Sequence, residues 1–200
     1  VGEFCDESTD SCAISLTSCT GSSGWQAGKV YYLSSDVSAS SGTTSCFDIS
    51  AANVILDCAP TTIRYTITSS ASNAAIRVLI AGNNATIRNC SITSSTSHGI
   101  VNVNGPSGAS SLTAQNNIIT TSISHYGIQV TNGNLTAINN QINTDNTIEA
   151  IKVTISNSGL RTIRLINNVL TGRRGIDATV SVGSLVDSTI SENSISAQAS

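Results

Sequence analysis

Aromatic residues are scarce in this 200-residue chain, with one Trp, two Phe and four Tyr, and methionine is absent. A core must therefore be assembled from Ile, Val, Leu and Ala, which suits stacked strands better than a helical bundle. Charge is scarce as well: 10% of residues are charged and the net charge is −3 at pH 7. No basic patch is available to neutralise phosphates and no cationic amphipathic stretch to lie on lipid, which argues against nucleic acid and membrane-surface partners. No run of about 18 apolar residues occurs, so no membrane span is expected within the chain. Cys-x-x-Cys pairs are missing and only two histidines are present, so neither a metal site nor a cofactor is expected.

What is present is globular: 39% hydrophobic residues suffice for one domain with a core. The 34 Ser, 24 Thr and 19 Asn make its surface mostly hydroxyl and amide. Cys5, Cys12, Cys19, Cys46, Cys58 and Cys90 all fall in the first half, and an even set of this kind reads as disulfides in an extracellular or cell-surface protein. Sequons at Asn84, Asn89 and Asn134 fit an exported glycoprotein. The chain opens on Val1 rather than an initiator methionine, as a processed or an excerpted chain would, any signal segment then being gone.

The segments "QNNIITTSISHYGIQV", "INNQINTDNTIEAIKV" and "INNVLTGRRGIDATV" repeat one pattern. The second residue of each Asn-Asn pair is Asn117, Asn140 or Asn168; Asn193 follows and Cys90 precedes, in steps of 27, 23, 28 and 25 residues. A second marker, Gly99-Ile100, Gly127-Ile128, Ala150-Ile151 and Gly175-Ile176, keeps the same register in steps of 28, 23 and 25. A period near these values allows a leucine-rich repeat, a helical solenoid or a β-helix. Leucine-rich spacing is missing, helical periodicity is not sustained, and short alternating pieces such as "LTAQN" and "LTAIN" read as strands. Each repeat is thus expected to be one turn of a parallel β-helix, pairing with the turns above and below.

Stacked at about 4.8 Å, Asn117, Asn140, Asn168 and Asn193 would form an amide ladder that satisfies backbone groups at a turn. Cys90 takes the ladder position one coil earlier and Cys58 the position before it. Neighbouring stacked positions lie within disulfide reach, so Cys58–Cys90 is expected as a staple between coils. Residues 1–47 lack the repeat and hold the other four cysteines and Trp25; they are assigned to an N-terminal cap, and residues 48–200 to the β-helix. The last segment, "LVDSTISENSISAQAS", shows no polar or helical cap. Either a longer chain or another subunit is expected to meet that edge.

The Asn-Asn-x-Ile and Gly-Ile repeats, together with "GKVYYLSSDVSASSGTTSCFDISAANVILDC", resemble the right-handed parallel β-helix superfamily, the pectate-lyase-like fold, and in particular repeat-containing surface proteins of prokaryotes. The resemblance implies an all-β, right-handed solenoid of roughly six coils with a Cys-rich N-terminal cap. Its members include pectin-active lyases, hydrolases, epimerases, tailspikes and adhesins, so activity must be argued from a site.

The densest line of titratable groups is His98, Tyr126, Glu149 and Arg174, beside Gln129, Lys152 and Asp177, with His125 and Arg173 flanking. A lyase of the superfamily would need a basic residue with calcium-holding acids, and a hydrolase a close set of aspartates. Only Glu149 and Asp177 are available on this line, in different columns, so the line reads as a solvated face and only secondarily as a ligand face for polysaccharide. Trp25, Tyr31, Tyr32 and Tyr65 read as packing in or against the cap. Alternation places Thr86, Thr113, Thr136 and Thr189 outward, interrupted by Arg164, with Ile138 and Ile166 adjacent in the next outward column. Two exposed isoleucines on so polar a surface suggest either an interface with another chain or cover by the N-terminal segment. The expected function is structural: a self-associating cell-surface or filament subunit. A polysaccharide lyase, hydrolase or epimerase, or a carbohydrate-binding adhesin, is the alternative.

Overall fold

The computed structural model describes residues 3–6, 11–59, 62–79, 83–103, 110–145, 147–156, 158–181 and 183–197. Every regular element among them is a strand. A hairpin of β1 (Glu3–Asp6) and β2 (Ser11–Leu16) comes first. Three-stranded coils follow: β3 (Val30–Leu33), β4 (Val37–Ala39) and β5 (Ser45–Ile49); β6 (Ile55–Asp57), β7 (Thr66–Ser69) and β8 (Ala74–Val78); β9 (Ala85–Arg88), β10 (Ser91–Ser94) and β11 (His98–Val103). Next come β12 (Ser111–Gln115), β13 (Ile118–Thr121) and β14 (Ile128–Thr131); β15 (Asn134–Ile138), β16 (Gln141–Asn143) and β17 (Glu149–Ile155); β18 (Gly159–Ile166), β19 (Val169–Gly172) and β20 (Arg174–Val180). A further coil is begun by β21 (Ser184–Ser191) and β22 (Ser194–Ala197).

Equivalent strands line up into a nine-stranded sheet running from β1 to β21, a seven-stranded sheet from β4 to β22 and a six-stranded sheet from β5 to β20. Apart from the β1–β2 hairpin, the named strands pair in parallel. The chain is a parallel β-solenoid of about six turns, because the same aliphatic position recurs once per coil and each occurrence lands on the last. Phe47, Ile76, Ile100, Ile128, Ile151 and Ile176 form one internal stack. Ile67, Ile92, Ile119, Ile142, Leu170 and Ile195 form a second.

The Gly-Ile marker has a steric cause. A Cβ on Gly99 would lie 2.6 Å from Ile119 Cγ2, and one on Gly127 would collide with Ile142 Cγ2. The glycine leaves room for the isoleucine arriving from the seven-stranded sheet.

The two residues of each Asn-Asn pair divide the work at the corner. Asn116, Asn139 and Asn167 adopt φ of 56°, 55° and 53°, a left-handed conformation that Asn tolerates better than most side chains. That turn aims the next residue inward. Asn117, Asn140 and Asn168 are buried, and each amide nitrogen donates to the carbonyl oxygen of the next: Asn117 to Asn140 at 3.0 Å, Asn140 to Asn168 at 2.9 Å, Asn168 to Asn193 at 2.9 Å. The same nitrogens also donate to the backbone carbonyls of Ile87, Ala114 and Ala137. Cys90 begins the series, its backbone N–H donating to Asn117 Oδ1, and its sulfur is bonded to Cys58 with the Cα atoms 4.7 Å apart.

The parallel ladders begin before residue 48. β3, β4 and β5 pair with β6, β7 and β8, so residues 30–49 form a coil that lies almost wholly in the segment that the repeat pattern assigns to the cap. This coil carries Leu33, Val37 and Phe47 in the core but neither the Asn-Asn nor the Gly-Ile marker. The end is covered by the hairpin and by residues 17–29, where Trp25 packs on Tyr31 and Phe47 with ring centroids 4.6 and 5.9 Å away. Cys19 bonds to Cys46. Cys5 stands opposite Cys12 in the hairpin register; the side chains of both lie outside the described residues. The two bonds that are described belong to a chain folded under oxidising conditions.

Candidate functional site

The outward face of the six-stranded sheet carries the charged line. Register places His98, Tyr126, Glu149 and Arg174 in one column, at the corner leading into β11, β14, β17 and β20. Asp48, Arg77, Val101, Gln129, Lys152 and Asp177 form the next. The second column, one residue past the inward isoleucine stack, faces outward by strand alternation. The first stands two residues before that stack, at the corner where alternation is broken, since the intervening Gly99 and Gly127 also point inward.

The columns are joined into a string. His98 stacks on Tyr126 with centroids 5.1 Å apart, His125 meets His98 edge-on at 5.3 Å, and Lys152 Nζ lies 5.4 Å from the Tyr126 centroid. Lys152 Nζ then donates to Asp177 Oδ2 at 2.9 Å. Glu149, almost wholly buried, is held by Arg174 at 2.6 Å. The structure therefore brings His98, Tyr126, Lys152 and Asp177 together, and sets Glu149 and Arg174 beside them as a separate pair.

Protonation follows from these contacts. Burial, reinforced by the neighbouring His125, pushes the His98 pKa down to about 4. Its Nδ1 accepts the Tyr126 N–H at 2.9 Å, which requires that nitrogen to be unprotonated. The hydrogen bond with Asp177 raises the Lys152 pKa, and the same bond lowers that of Asp177. A carboxyl held down in this way is a poor general acid. Glu149 and Asp177 are both occupied by cations, which makes this part of the face a ladder of neutralised ion pairs.

Two further ion pairs lacked any motif in the sequence. Asp48 receives Arg77 through Nε and Nη2, both at 2.8 Å, and Asp57 receives Arg88 Nε at 2.7 Å. Each pair joins adjacent coils at one column position. That shared position was the signal available; it was obscured for Asp48 because the first coil lacks both repeat markers. A shallow amide-rich depression of about 360 Å³ lies over the corner outside the ladder, lined by Arg64, Asn89, Asn116, Asn139 and Gln141 among others.

Ile138 and Ile166 are adjacent in one outward column, as alternation predicts, but both are half-buried rather than exposed. Ile138 is sandwiched at coil spacing between Gln115 and Ile166, and these neighbours shield its sides. The N-terminal segment does not reach them, since it pairs at the opposite end of the nine-stranded sheet. The exposed aliphatics lie elsewhere, most densely on the last two coils: Leu160, Leu185, Ile190 and Ile195 are 62, 69, 56 and 50% accessible. Of the three sequon asparagines, Asn84 is exposed, whereas Asn89 and Asn134 are half-buried and their amide nitrogens donate to Asp57 Oδ1 and Ser111 Oγ.

No helix long and apolar enough to cross a membrane is present among the described residues. Compared with protein-family models, with curated proteins and with solved structures, the chain matches none of them.

Proposed function

We propose that this chain is an extracellular structural protein, a β-solenoid of the pectate-lyase-like superfamily that serves as a self-associating surface or filament subunit and performs no catalysis. One observation carries the reading: the internal stacks arrive at the last described coil without cover. Ile190 continues the stack of Leu165 and Ile195 that of Leu170. Leu165 and Leu170 are fully buried while Ile190 and Ile195 are half accessible. Around them run the edges of β20, β21 and β22, each the end strand of its sheet. Unpaired edges around an apolar centre template further strand pairing; in the self-association proposed here a second copy supplies it, whereas further coils of the same chain would supply it in cis.

Sedimentation velocity over a range of concentrations tests the assignment. Mass action should build larger species as concentration rises, and Ile190→Glu with Ile195→Glu should return the chain to a monomer. A strict monomer throughout would overturn self-association. A sugar-active role on the His98, Tyr126, Lys152 and Asp177 string is the second reading, favoured by the aromatic and cationic groups gathered there. Loss of a measured polysaccharide-cleaving activity in Asp177→Ala, with the fold intact, would establish it in place of the structural role.

A further inference from the structure

At the other end of the solenoid a cavity of about 460 Å³ opens between β2 and the loop that precedes β3, a size typical of small-molecule sites. Its apolar side is Leu16, Tyr31 and the half-buried Trp25; its polar side includes Ser18, Thr20 and Gln26. Among the described residues that line it, none is charged.

The wall is built to hold its shape. Trp25 Nε1 donates to Gly21 O at 3.0 Å, Tyr31 Oη donates to Gly24 O at 2.9 Å, and Gln26 N–H donates to Tyr31 Oη at 2.7 Å. Ser23 Oγ donates to Thr20 O at 2.9 Å, and the Cys19–Cys46 bond ties the start of the loop to β5. The polar atoms of both aromatics are thus spent inside the loop, which leaves their rings to the cavity. Thr20 Oγ1 is the exception: it is buried and has no hydrogen-bond partner. A buried hydroxyl with nothing to bond costs stability, and turning about χ1 to meet a ligand in the cavity would recover it.

We propose that this cavity binds a small neutral polyhydroxylated ligand, one sugar ring, with its apolar face on Trp25 and a hydroxyl bonded to Thr20 Oγ1. An indole supplies an apolar contact surface that is rigid and costs little entropy to order. The described wall offers no charge to pair with an anionic or cationic ligand. A prebuilt loop avoids the ordering cost of closure. The site is independent of the assembly face, which lies at the opposite end of the solenoid.

The single Trp makes the test direct, because all indole emission comes from Trp25. The oxidised full chain is titrated with methyl glucoside, methyl galactoside and N-acetylglucosamine up to about 100 mM, a range that captures weak binding. At least one should give a saturable emission change, and Thr20→Val should weaken it about five- to tenfold, the effect of one lost hydrogen bond, with circular dichroism unchanged. If Thr20→Val fails to fold, amide and indole N–H shifts of the native chain replace it. Shifts centred on Trp25 and Gly21 support the site, and shifts confined elsewhere overturn it. Flat emission with every sugar, a response to cyclohexanol alone, or binding that Thr20→Val leaves unchanged would each overturn it as well.

Discussion

Replacing Asn140 by Ala tests the central physical claim, that the buried amides hold the coils together. Asn140 is 1% exposed. Its Oδ1 accepts from the backbone N–H and from Nδ2 of Asn117, both at 3.0 Å, and its Nδ2 donates to Asn168 Oδ1 and Ala114 O, both at 2.9 Å. Truncation removes all four bonds. It strands two donors of Asn117 and takes a donor each from Ala114 O and Asn168 Oδ1, in a place water reaches poorly. At about 1–3 kcal/mol for each stranded buried group, with partial relaxation, the loss should be about 3–6 kcal/mol. Urea unfolding of the oxidised chain measures it, with exposed Thr120→Ala as the control, expected within about 0.5 kcal/mol of the parent. Hydrogen exchange localises it: the Asn117 amide should lose protection before amides of coils one and two. Asn193, only half-buried at the end of the series, should cost less when replaced. An Asn140→Ala loss below about 1 kcal/mol would refute the ladder as a stabilising element and leave it a packing feature.

Three further outcomes are expected. Cys58→Ser with Cys90→Ser opens a bond spanning 32 residues and should lower stability by about 3–4 kcal/mol on chain-entropy grounds, read by denaturation of the double variant beside the parent. Gly127→Ala should cost about 1–3 kcal/mol through overpacking, since its Cβ would meet Ile142 Cγ2; combining it with Ile142→Ala, which removes that methyl, should cost less than the sum of the two single changes, and strict additivity would argue against that contact. The pKa of His98 is depressed to about 4 from an ordinary 6.5, so the unfolded chain takes up its proton first as pH falls. Its contribution is therefore full above about pH 6.5, is lost progressively towards pH 4 and is flat below, on the order of 2 kcal/mol after discounting for solvent screening. His98→Gln should flatten that part of the pH–stability curve, and an unchanged curve would place the titration elsewhere.

The candidate face was legible to the extent that it obeys the repeat. Column membership of His98, Tyr126, Glu149 and Arg174, and of Lys152 with Asp177, follows from counting residues between Gly-Ile markers, and the strand register reproduces it. The linkage between columns did not follow from counting. Lys152 reaches across to the Tyr126 ring while Glu149 turns to Arg174, choices made by side-chain length and burial. The half-burial of Ile138 and Ile166 was hidden for a similar reason: alternation gives direction, whereas exposure depends on what stands beside the side chain.

By itself the sequence determined what translation along a stack can determine. Residues one period apart meet, so the parallel β-solenoid, the amide ladder of Asn117, Asn140, Asn168 and Asn193, and the Cys58–Cys90 bond all follow from the period. Only the tertiary structure decided the coil at residues 30–49, the Cys19–Cys46 pairing, the Asp48–Arg77 and Asp57–Arg88 ion pairs, the depressed His98 and the cavity beside Trp25. Where residues recur at coil spacing, a local count implies a contact. Where the chain closes its first coil and folds its end cover without a repeat, the contacts depend on the path of the backbone, and no spacing in the sequence encodes that path.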